Sequence, residues 1–211
     1  MHPQKTHHET PSRTRLLLSA RKLFAENGYE STSTASIARM AGTSESQLIK
    51  HFGGKAGLLD AIFVDGWTTL TEWLQQQLAP TTSPIDRLRA IPRLMFDALE
   101  RDPELRQLLL LEGRRIRKEG RLATLTDGFL GFVTLVDRTL EEMRDAGQLR
   151  QDLNPQAIRS ALIGLTEGAL RDHLLAERAG QPTEFTAENI GTLVDALVDS
   201  IATMSYTTNV S

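Results

Sequence analysis

Two short helical patterns lie close together in the stretch STASIARMAGTSESQLIKHFGGK, residues 33–55. Ser33 is a predicted N-cap for a first helix, which ends at Gly42. Ser44 and Gln47 form the S-x-x-Q pattern of a capping box and predict the start of a second helix. Neither helix is long enough to form a core alone, so each must pack on a neighbour. Two short helices joined by the turn AGTS predict a helix-turn-helix.

The remaining sequence also shows helical spacing, with no convincing alternation of polar and apolar residues, so we predict an all-α protein. Ser12 is the predicted N-cap of a first helix over residues 13–26. Pro92 should kink or split the helix predicted over 84–101, because proline removes a hydrogen bond inside a helix. Further helices are predicted over about 55–78, 103–117, 121–146, 155–179 and 186–204.

Composition restricts the class of protein. The 211 residues include no cysteine, which excludes disulfide frameworks, thiol nucleophiles and cysteine-ligated zinc. The amino-terminal stretch MHPQKTHHET is polar and the longest aliphatic run, residues 108–111, is too short to span a bilayer, so we expect a cytoplasmic protein with no membrane partner. Residues 1–60 carry 8 basic and 5 acidic side chains, whereas the remainder carries 16 and 22. This asymmetry directs the amino-terminal part toward an anionic partner.

The second short helix has a polar outward face. If Leu48 and Phe52 pack on the first helix, the outward residues are Glu45, Ser46, Gln47, Ile49, Lys50 and His51. The second helix of a helix-turn-helix enters the major groove of DNA, where glutamine can pair with adenine and isoleucine can contact a thymine methyl group. Serine can donate or accept a hydrogen bond, and glutamate can accept one from cytosine.

Lys50 and Lys55 suit contacts with phosphates. Each of these side chains also has a plain structural interpretation, in which Gln47 serves only its capping box, His51 only solvates the helix end and the lysines form an ordinary wet face. The spacing of the whole set, rather than any one residue, favours double-stranded DNA as the partner.

The segments ARKLFAENGYESTS and IARMAGTSESQLIKHFGGKAGLLDAIF resemble the amino-terminal signature of the TetR family of bacterial transcriptional regulators. The later segment GQLRQDLNPQAIRSALIGLTEGAL resembles the start of the family's penultimate helix. The resemblance implies a three-helix DNA-binding domain with a flexible amino-terminal tail over residues 1–56, and a helical effector-binding and dimerisation domain over 57–211.

By position, the resemblance also implies DNA-contacting roles. Thr34 and Ser44 would contact the DNA backbone. The residues implied to face bases are Glu45, Ser46, Gln47 and Ile49, and those implied to hold phosphates are Lys50, His51 and Lys55. The family usually has tyrosine where this chain has Ile49, which cannot donate a hydrogen bond to a phosphate. That contact is therefore absent or passes to His51.

The last two predicted helices carry more apolar surface than one core needs. Residues 190–201 form one apolar stripe, and residues 158–170 are apolar on two sides. A symmetric homodimer that pairs these helices in a four-helix bundle would cover the surplus, as the resemblance also implies. The alternative is that both faces belong to the chain's own core. The predicted interface is Ile158, Leu162, Leu165, Ala169, Ile190, Leu193, Val194, Leu197, Val198 and Ile201.

The resemblance implies a small effector bound among the carboxy-terminal helices. A largely apolar lining with a few polar groups suits a largely apolar ligand. Glu112 and Glu167 each interrupt an apolar run, and the alternative for both is an ion pair with a nearby arginine such as Arg171. The predicted lining is Trp67, Leu70, Phe96, Leu99, Leu108, Glu112, Phe129, Val133, Val136, Thr166, Glu167 and Leu170.

No nucleotide-binding, dinucleotide-binding or zinc-protease motif occurs in the sequence, so we expect no catalytic residue, no metal and no cofactor. Together with the resemblance to the TetR family, the sequence predicts a homodimeric regulator, a repressor, that binds a palindromic operator and is released by a small apolar effector. The first rival is a helical enzyme or cofactor-binding protein with an incidental helix-turn-helix. A second rival is an interaction module that has lost DNA binding, for which Ile49 is the only indication.

Overall fold

The computed structural model describes residues 11–112, 126–182 and 186–203, and these ranges are helical, which confirms the predicted fold class. The helices are α1 (Ser12–Asn27), α2 (Thr34–Met40), α3 (Glu45–Phe52), α4 (Lys55–Leu78), α5 (Pro84–Arg101), α6 (Pro103–Glu112), α7 (Asp127–Asp145), α8 (Pro155–Ala179) and α9 (Ala187–Ile201). In these ranges the one extended pairing is an isolated antiparallel bridge between Leu149 and Ala202. No helix in the described part is both long enough and apolar enough to cross a membrane.

Side-chain caps fix where most of these helices begin. Ser33 caps α2 and Ser44 caps α3, each accepting a hydrogen bond from a backbone N–H in the first turn. Asn154 caps α8 in the same way, and Thr186 caps α9. A helix start leaves its first N–H groups without intrahelical partners, and a short polar side chain satisfies one or two of them.

The prediction that Ser12 caps α1 is wrong. The N-cap is Pro11, which has no side-chain cap, and its carbonyl accepts a hydrogen bond from the Arg15 N–H at 3.1 Å. The helix therefore begins one residue earlier than the serine pattern indicates. The Ser12 hydroxyl lies instead 3.1 Å from Nε2 of His51.

Pro92 does not split its helix, because α5 is continuous from Pro84 to Arg101. Pro92 is itself buried, and Leu88, Ile91 and Met95 are buried on the same helix. Packing of this wide apolar face retains the helix despite the hydrogen bond that the proline removes.

The first of two compact units comprises residues 1–65 and 104–126. In its described part α1 packs on α2 and α3, and α2 packs on α3. The core of this unit contains Leu16, Ala20, Phe24, Ile37, Leu48, Leu58, Leu59, Ile62 and Phe63.

The second compact unit comprises residues 66–103 and 127–211. Helix α5 packs on α7, α8 and α9 in the described part of this unit. Trp67 stacks on Phe132, with ring centroids 5.2 Å apart, and both rings are buried. Along the α5–α9 contact, the Arg93 guanidinium pairs with Asp195. An added Cβ on Gly191 would lie 2.5 Å from Arg93 Nε, so the glycine lets this arginine lie against α9.

The chain after α9 returns to the loop between α7 and α8. The Arg150 N–H donates to the Ile201 carbonyl at 3.0 Å, and the Thr203 N–H donates to the Gln148 carbonyl at 2.9 Å. The Arg150 guanidinium also donates hydrogen bonds to Asp152, which lowers the pKa of that carboxyl group. The two backbone hydrogen bonds therefore join the segment before α8 to the segment after α9.

Candidate DNA-binding site and effector region

Helix α3 is held on the first unit by very little apolar surface. Leu48 is fully buried, whereas Phe52, predicted to be docked like Leu48, is half-buried. The turn that leads into α3 is fixed from α1, because Nε of Arg15 donates to the Ala41 carbonyl at 2.9 Å. Short helices of this kind depend on tertiary contacts for their stability.

The rest of α3 faces solvent. The exposed side chains are Glu45, Ser46, Ile49, Lys50 and His51, and Gln47 is half-buried. Ile49 has 59% of its surface exposed, which is unusual for a side chain of this size and type. The helix therefore presents the face that the spacing predicts, with polar and charged side chains around one exposed aliphatic group. Their individual contacts with DNA remain predictions.

The outward face is partly organised by its own hydrogen bonds. The Thr34 hydroxyl donates to Oε2 of Glu45 at 2.6 Å, which joins the first residues of α2 and α3. The Ser44 hydroxyl accepts the Gln47 N–H at 3.3 Å. A Glu45 carboxylate held in this way has one oxygen already engaged, so its reach toward a cytosine is restricted. The sequence did not reveal the hydrogen bond between Thr34 and Glu45, because these two residues are eleven positions apart.

Lys55 is occupied by the protein itself. Its ammonium group donates to the carbonyls of Tyr29 at 2.8 Å and Thr32 at 3.0 Å, with the Glu30 carbonyl at 3.5 Å. The same nitrogen lies 4.3 Å from the centre of the Tyr29 ring, in the geometry of a cation–π contact. An ammonium has three donors, so the predicted phosphate contact would compete with these bonds. Through these contacts Lys55 fastens the loop between α1 and α2 to the start of α4.

The elbow between α3 and α4 depends on glycine. Gly53 ends α3 in the left-handed conformation, with φ of 72°, and its N–H donates to the Ile49 carbonyl at 2.8 Å. An added Cβ on Gly57 would lie 1.9 Å from the Phe52 carbonyl oxygen, a backbone atom. Only glycine therefore allows the end of α3 to approach α4 this closely. The sequence analysis did not single out Gly57, although a glycine inside a helical pattern can indicate a close packing contact of this kind.

The beginning of α1 adds positive charge next to α3. The Arg13 guanidinium carbon lies 5.2 Å from the centre of the Phe52 ring, and the side chain is exposed. Together with the Ser12–His51 contact, this places the first turn of α1 beside the end of α3. Arg13 was not among the predicted DNA-binding residues, since only tertiary packing brings it there.

Two family descriptions match consecutive parts of the chain. "Bacterial regulatory proteins, tetR family" matches residues 16–62, which contain the helix-turn-helix. "YsiA-like protein, C-terminal region" matches residues 63–184, more than half of the chain. The protein belongs to the TetR family. It is a DNA-binding transcriptional regulator, and the enzyme alternative is not favoured.

Relatives and solved structures agree with this assignment. The HTH-type transcriptional regulator UidR of Escherichia coli K12 is 25% identical over 166 residues, which cover 77% of this chain and 81% of UidR. The fatty acid metabolism regulator protein of Bacillus subtilis is 22% identical over 73% of this chain and 79% of its own. The fatty acid degradation regulator FadR of Bacillus halodurans superposes with a TM-score of 0.77 at 20% identity, covering 90% of this chain and 96% of FadR.

In this TetR-family chain, most of the predicted effector-binding residues of the second unit are packed. Trp67, Leu70, Phe96, Leu99, Val136, Thr166 and Leu170 are buried, and Phe129 and Val133 are half-buried. Of the predicted set, Val136 and Thr166 line a cavity of about 10 Å³ between α5, α7 and α8. That volume is no larger than a water site. Leu108 is buried in the first unit, and the side chain of Glu112 lies outside the described residues.

Glu167 is exposed at the surface of the single chain. Desolvation by neighbouring atoms raises the pKa of its carboxyl group, and the charge of Arg171 acts in the opposite direction. The balance keeps the pKa above its ordinary value. Among the residues that the structure describes, no group of three or more histidine, aspartate or glutamate side chains could hold a metal ion.

The predicted dimer interface divides into core and surface. Seven of its members are buried within the single chain and form its own core: Ile158, Leu162, Ala169, Ile190, Val194, Val198 and Ile201. Little of their surface is left for a partner, and their place in an interface stays a prediction. Leu193 is 53% exposed, and Leu165 and Leu197 are half-buried.

The outward side of these helices carries apolar and small residues together with charged ones, since Asp172 is exposed between Gly168 and Leu175 on α8. On α8 it contains Ala161, Gly164, Leu165, Gly168 and Leu175, and on α9 it contains Leu193, Ala196, Leu197 and Ser200. Leu175 is 52% exposed. The spacing of these residues follows one side of each helix. An apolar stripe does not tell which of two faces turns inward, so the pattern could not separate core from surface on these helices.

Proposed function

We propose that this TetR-family regulator is a homodimeric repressor that binds a palindromic operator and releases it when an effector occupies the second unit. The observation that carries the proposal is the outward face of α3, where only Leu48 is fully buried and the polar residues remain exposed. A short helix of this composition suits insertion in a major groove.

Within α3, Gln47, Ser46 and Ile49 are the proposed base-contacting residues. Lys50 and His51 are the proposed phosphate contacts, to which we add Arg13 because its exposed guanidinium lies beside the end of α3. Glu45 is proposed as a restricted base contact, since Thr34 holds one of its oxygens. Thr34 and Ser44 retain a proposed contact with the DNA backbone, and Lys55 contributes through the loop that it fastens.

The dimer is proposed to form through the outward face of α8 and α9 defined above. Exposed leucines on a pair of packed helices suit a four-helix bundle between two copies. A two-fold axis would place two α3 helices in successive major grooves, about 34 Å apart on B-form DNA.

The effector is proposed to be small and largely apolar, and to enter the second unit where Val136 and Thr166 line the small cavity. An apolar ligand would have to expand this cavity, and that expansion is the conformational change through which it could favour one state over another. A similar structure, FadR of Bacillus subtilis in complex with stearoyl-CoA, superposes with a TM-score of 0.75 at 18% identity. The acyl chain of that ligand supports an effector with an apolar part, whereas its coenzyme A part is large and charged.

The test is to select bound duplexes from a random pool, then measure affinity and mass for two variants. Leu193→Glu places a charge on the proposed interface and should give a monomer with operator affinity reduced at least about tenfold. Leu130→Glu is the matched control, because Leu130 is 43% exposed on α7, outside that face. A wild-type monomer in dilute solution, or a Leu193→Glu variant that still dimerises, would contradict the proposal.

A further inference from the structure

The second unit contains an open cleft of about 430 Å³ between the end of α4, the start of α5 and the middle of α7. It shares no lining residue with the small core cavity, and none of the predicted effector-binding residues lines it. A volume in this range is typical of sites for small organic molecules.

The charged groups of the cleft leave a net positive charge. The Arg87 guanidinium pairs with Oε2 of Glu142, and Nε of Arg138 donates to Oε1 of the same carboxylate at 3.0 Å. These three are the charged residues of its lining, so two cations share one anion. Nε of Arg87 is buried without a hydrogen-bond partner in the described part of the chain. The site therefore favours one additional negative charge.

The walls of the cleft combine polar and apolar groups. Leu78, Ala79 and Leu135 provide aliphatic contact, whereas Gln75 adds an amide and Thr81, Thr134 and Thr139 add hydroxyl groups. The side chain of Arg138 is 77% exposed, so its remaining N–H groups are accessible. A planar guanidinium binds a carboxylate through two parallel hydrogen bonds.

The open volume coincides with a glycine inside α7. Gly131 lines the cleft, and an added Cβ would meet no heavy atom within 4 Å. Glycine in a helix interior is less stable than alanine, and no close backbone approach requires it here. A larger side chain at this position would enter the cleft.

We propose that this cleft binds a small organic monoanion, a monocarboxylate with a compact apolar body. The carboxylate pairs with Arg138 while Glu142 remains the counter-ion of Arg87, and the apolar body lies on Leu78 and Leu135. The net charge of the cleft disfavours cations. This site lies outside the proposed apolar effector site and does not depend on operator release.

The experiment is a titration of the full-length protein with benzoate, followed by NMR chemical shifts and calorimetry, with benzamide as the neutral probe. Benzoate should bind saturably, with shifts around Gly131 and Arg138. Benzamide should bind at least about tenfold more weakly, because it lacks the charge that strengthens the hydrogen bonds.

Four variants make the result specific. Arg138→Gln should weaken benzoate binding at least about tenfold, and Arg138→Lys should recover part of it, since the positive charge returns without the planar fork. Arg144→Gln is the matched control, because Arg144 is exposed on the same helix but does not line the cleft. Gly131→Leu should abolish binding while the helical circular dichroism is retained.

Equal weak binding of benzoate and benzamide would overturn the proposal, and so would benzoate binding that survives both Arg138→Gln and Gly131→Leu. If Arg87 only ties α5 to α7 through Glu142 and Arg138 only pairs with Glu142 within α7, no saturable benzoate binding would be found. Operator binding is measured separately, so a protein that binds benzoate but no DNA would contradict only the proposed function.

Discussion

The helix-turn-helix and the bundle of α5, α7, α8 and α9 are stabilised in different ways. Helices α2 and α3 have 7 and 8 residues and bury few side chains, and their positions depend on caps, on the Thr34–Glu45 bond and on the Lys55 ammonium. Helices α5, α7 and α8 have 18, 19 and 25 residues and bury continuous apolar faces. Polar contacts and backbone geometry therefore control the DNA-binding region, whereas packing controls the bundle.

The largest expected effect follows from the Gly57 contact. Gly57→Ala should destabilise the first unit by about 3 kcal/mol, because the new Cβ would overlap the Phe52 carbonyl and force the backbone apart. Operator affinity should fall as α3 shifts. Thermal unfolding and anisotropy of a labelled duplex measure both. Gly131→Ala is the control, because its Cβ meets open space on α7, outside the proposed dimer face, and a similar loss there would remove the distinction between the two regions.

A second comparison separates two lysines. Lys55→Met should lower the free energy of unfolding by about 2 kcal/mol, since three carbonyls lose a charged donor. Lys50→Met should leave stability unchanged and reduce the salt dependence of DNA binding by about one phosphate contact. Chemical denaturation and binding at several salt concentrations test both. Equal effects of the two changes on stability would contradict the assignment of Lys55 as a structural clamp.

Base recognition is expected to be local to single side chains. Gln47→Ala should reduce discrimination by about 1 to 2 kcal/mol at one operator position in each half-site and leave the others unchanged. Affinity for a set of duplexes with single substitutions measures this. A uniform loss across all duplexes would show that Gln47 acts only in the capping of α3.

The Thr34–Glu45 bond predicts a smaller effect. Thr34→Val keeps the side-chain shape but removes the donor, so it should change stability by about 1 kcal/mol or less and alter base preference through a freer Glu45. The same duplex set applies. If Thr34→Val and Glu45→Gln change preference at different base pairs, the two residues do not act as a pair.

The smallest effect belongs to the bundle surface. Because the folded-state pKa of Glu167 is raised, its ionisation costs stability once the pH rises above the ordinary carboxyl value of 4.5. Glu167→Gln should therefore stabilise the protein at pH 7 by no more than about 0.5 kcal/mol. The difference should vanish below pH 4.5, where both states are protonated. Melting temperatures of the wild-type protein and the Glu167→Gln variant, measured across this pH range, would show whether the substitution stabilises or destabilises the protein.

The sequence predicted what depends on neighbouring residues. The predicted caps at Ser33 and Ser44 were confirmed, as were the helix-turn-helix spacing and the helical class. These features follow from hydrogen bonds that a side chain makes within three residues of itself. The same pattern failed at Ser12, where a proline one position earlier takes the N-cap position.

Features that depend on distant packing could not be predicted. The stripe on α8 identified apolar faces, but only the positions of α7 and α9 decide that Leu162 is core and Leu175 is surface. Lys55 appeared as a free cation because its carbonyl partners lie more than twenty residues away. The cleft beside Gly131 has no motif, since three helices must meet before its volume exists.

The short bridge between Leu149 and Ala202 has a mechanical consequence. Because backbone hydrogen bonds join the segment before α8 to the segment after α9, these two ends can separate only if those bonds break. A displacement of one end is therefore transmitted to the other.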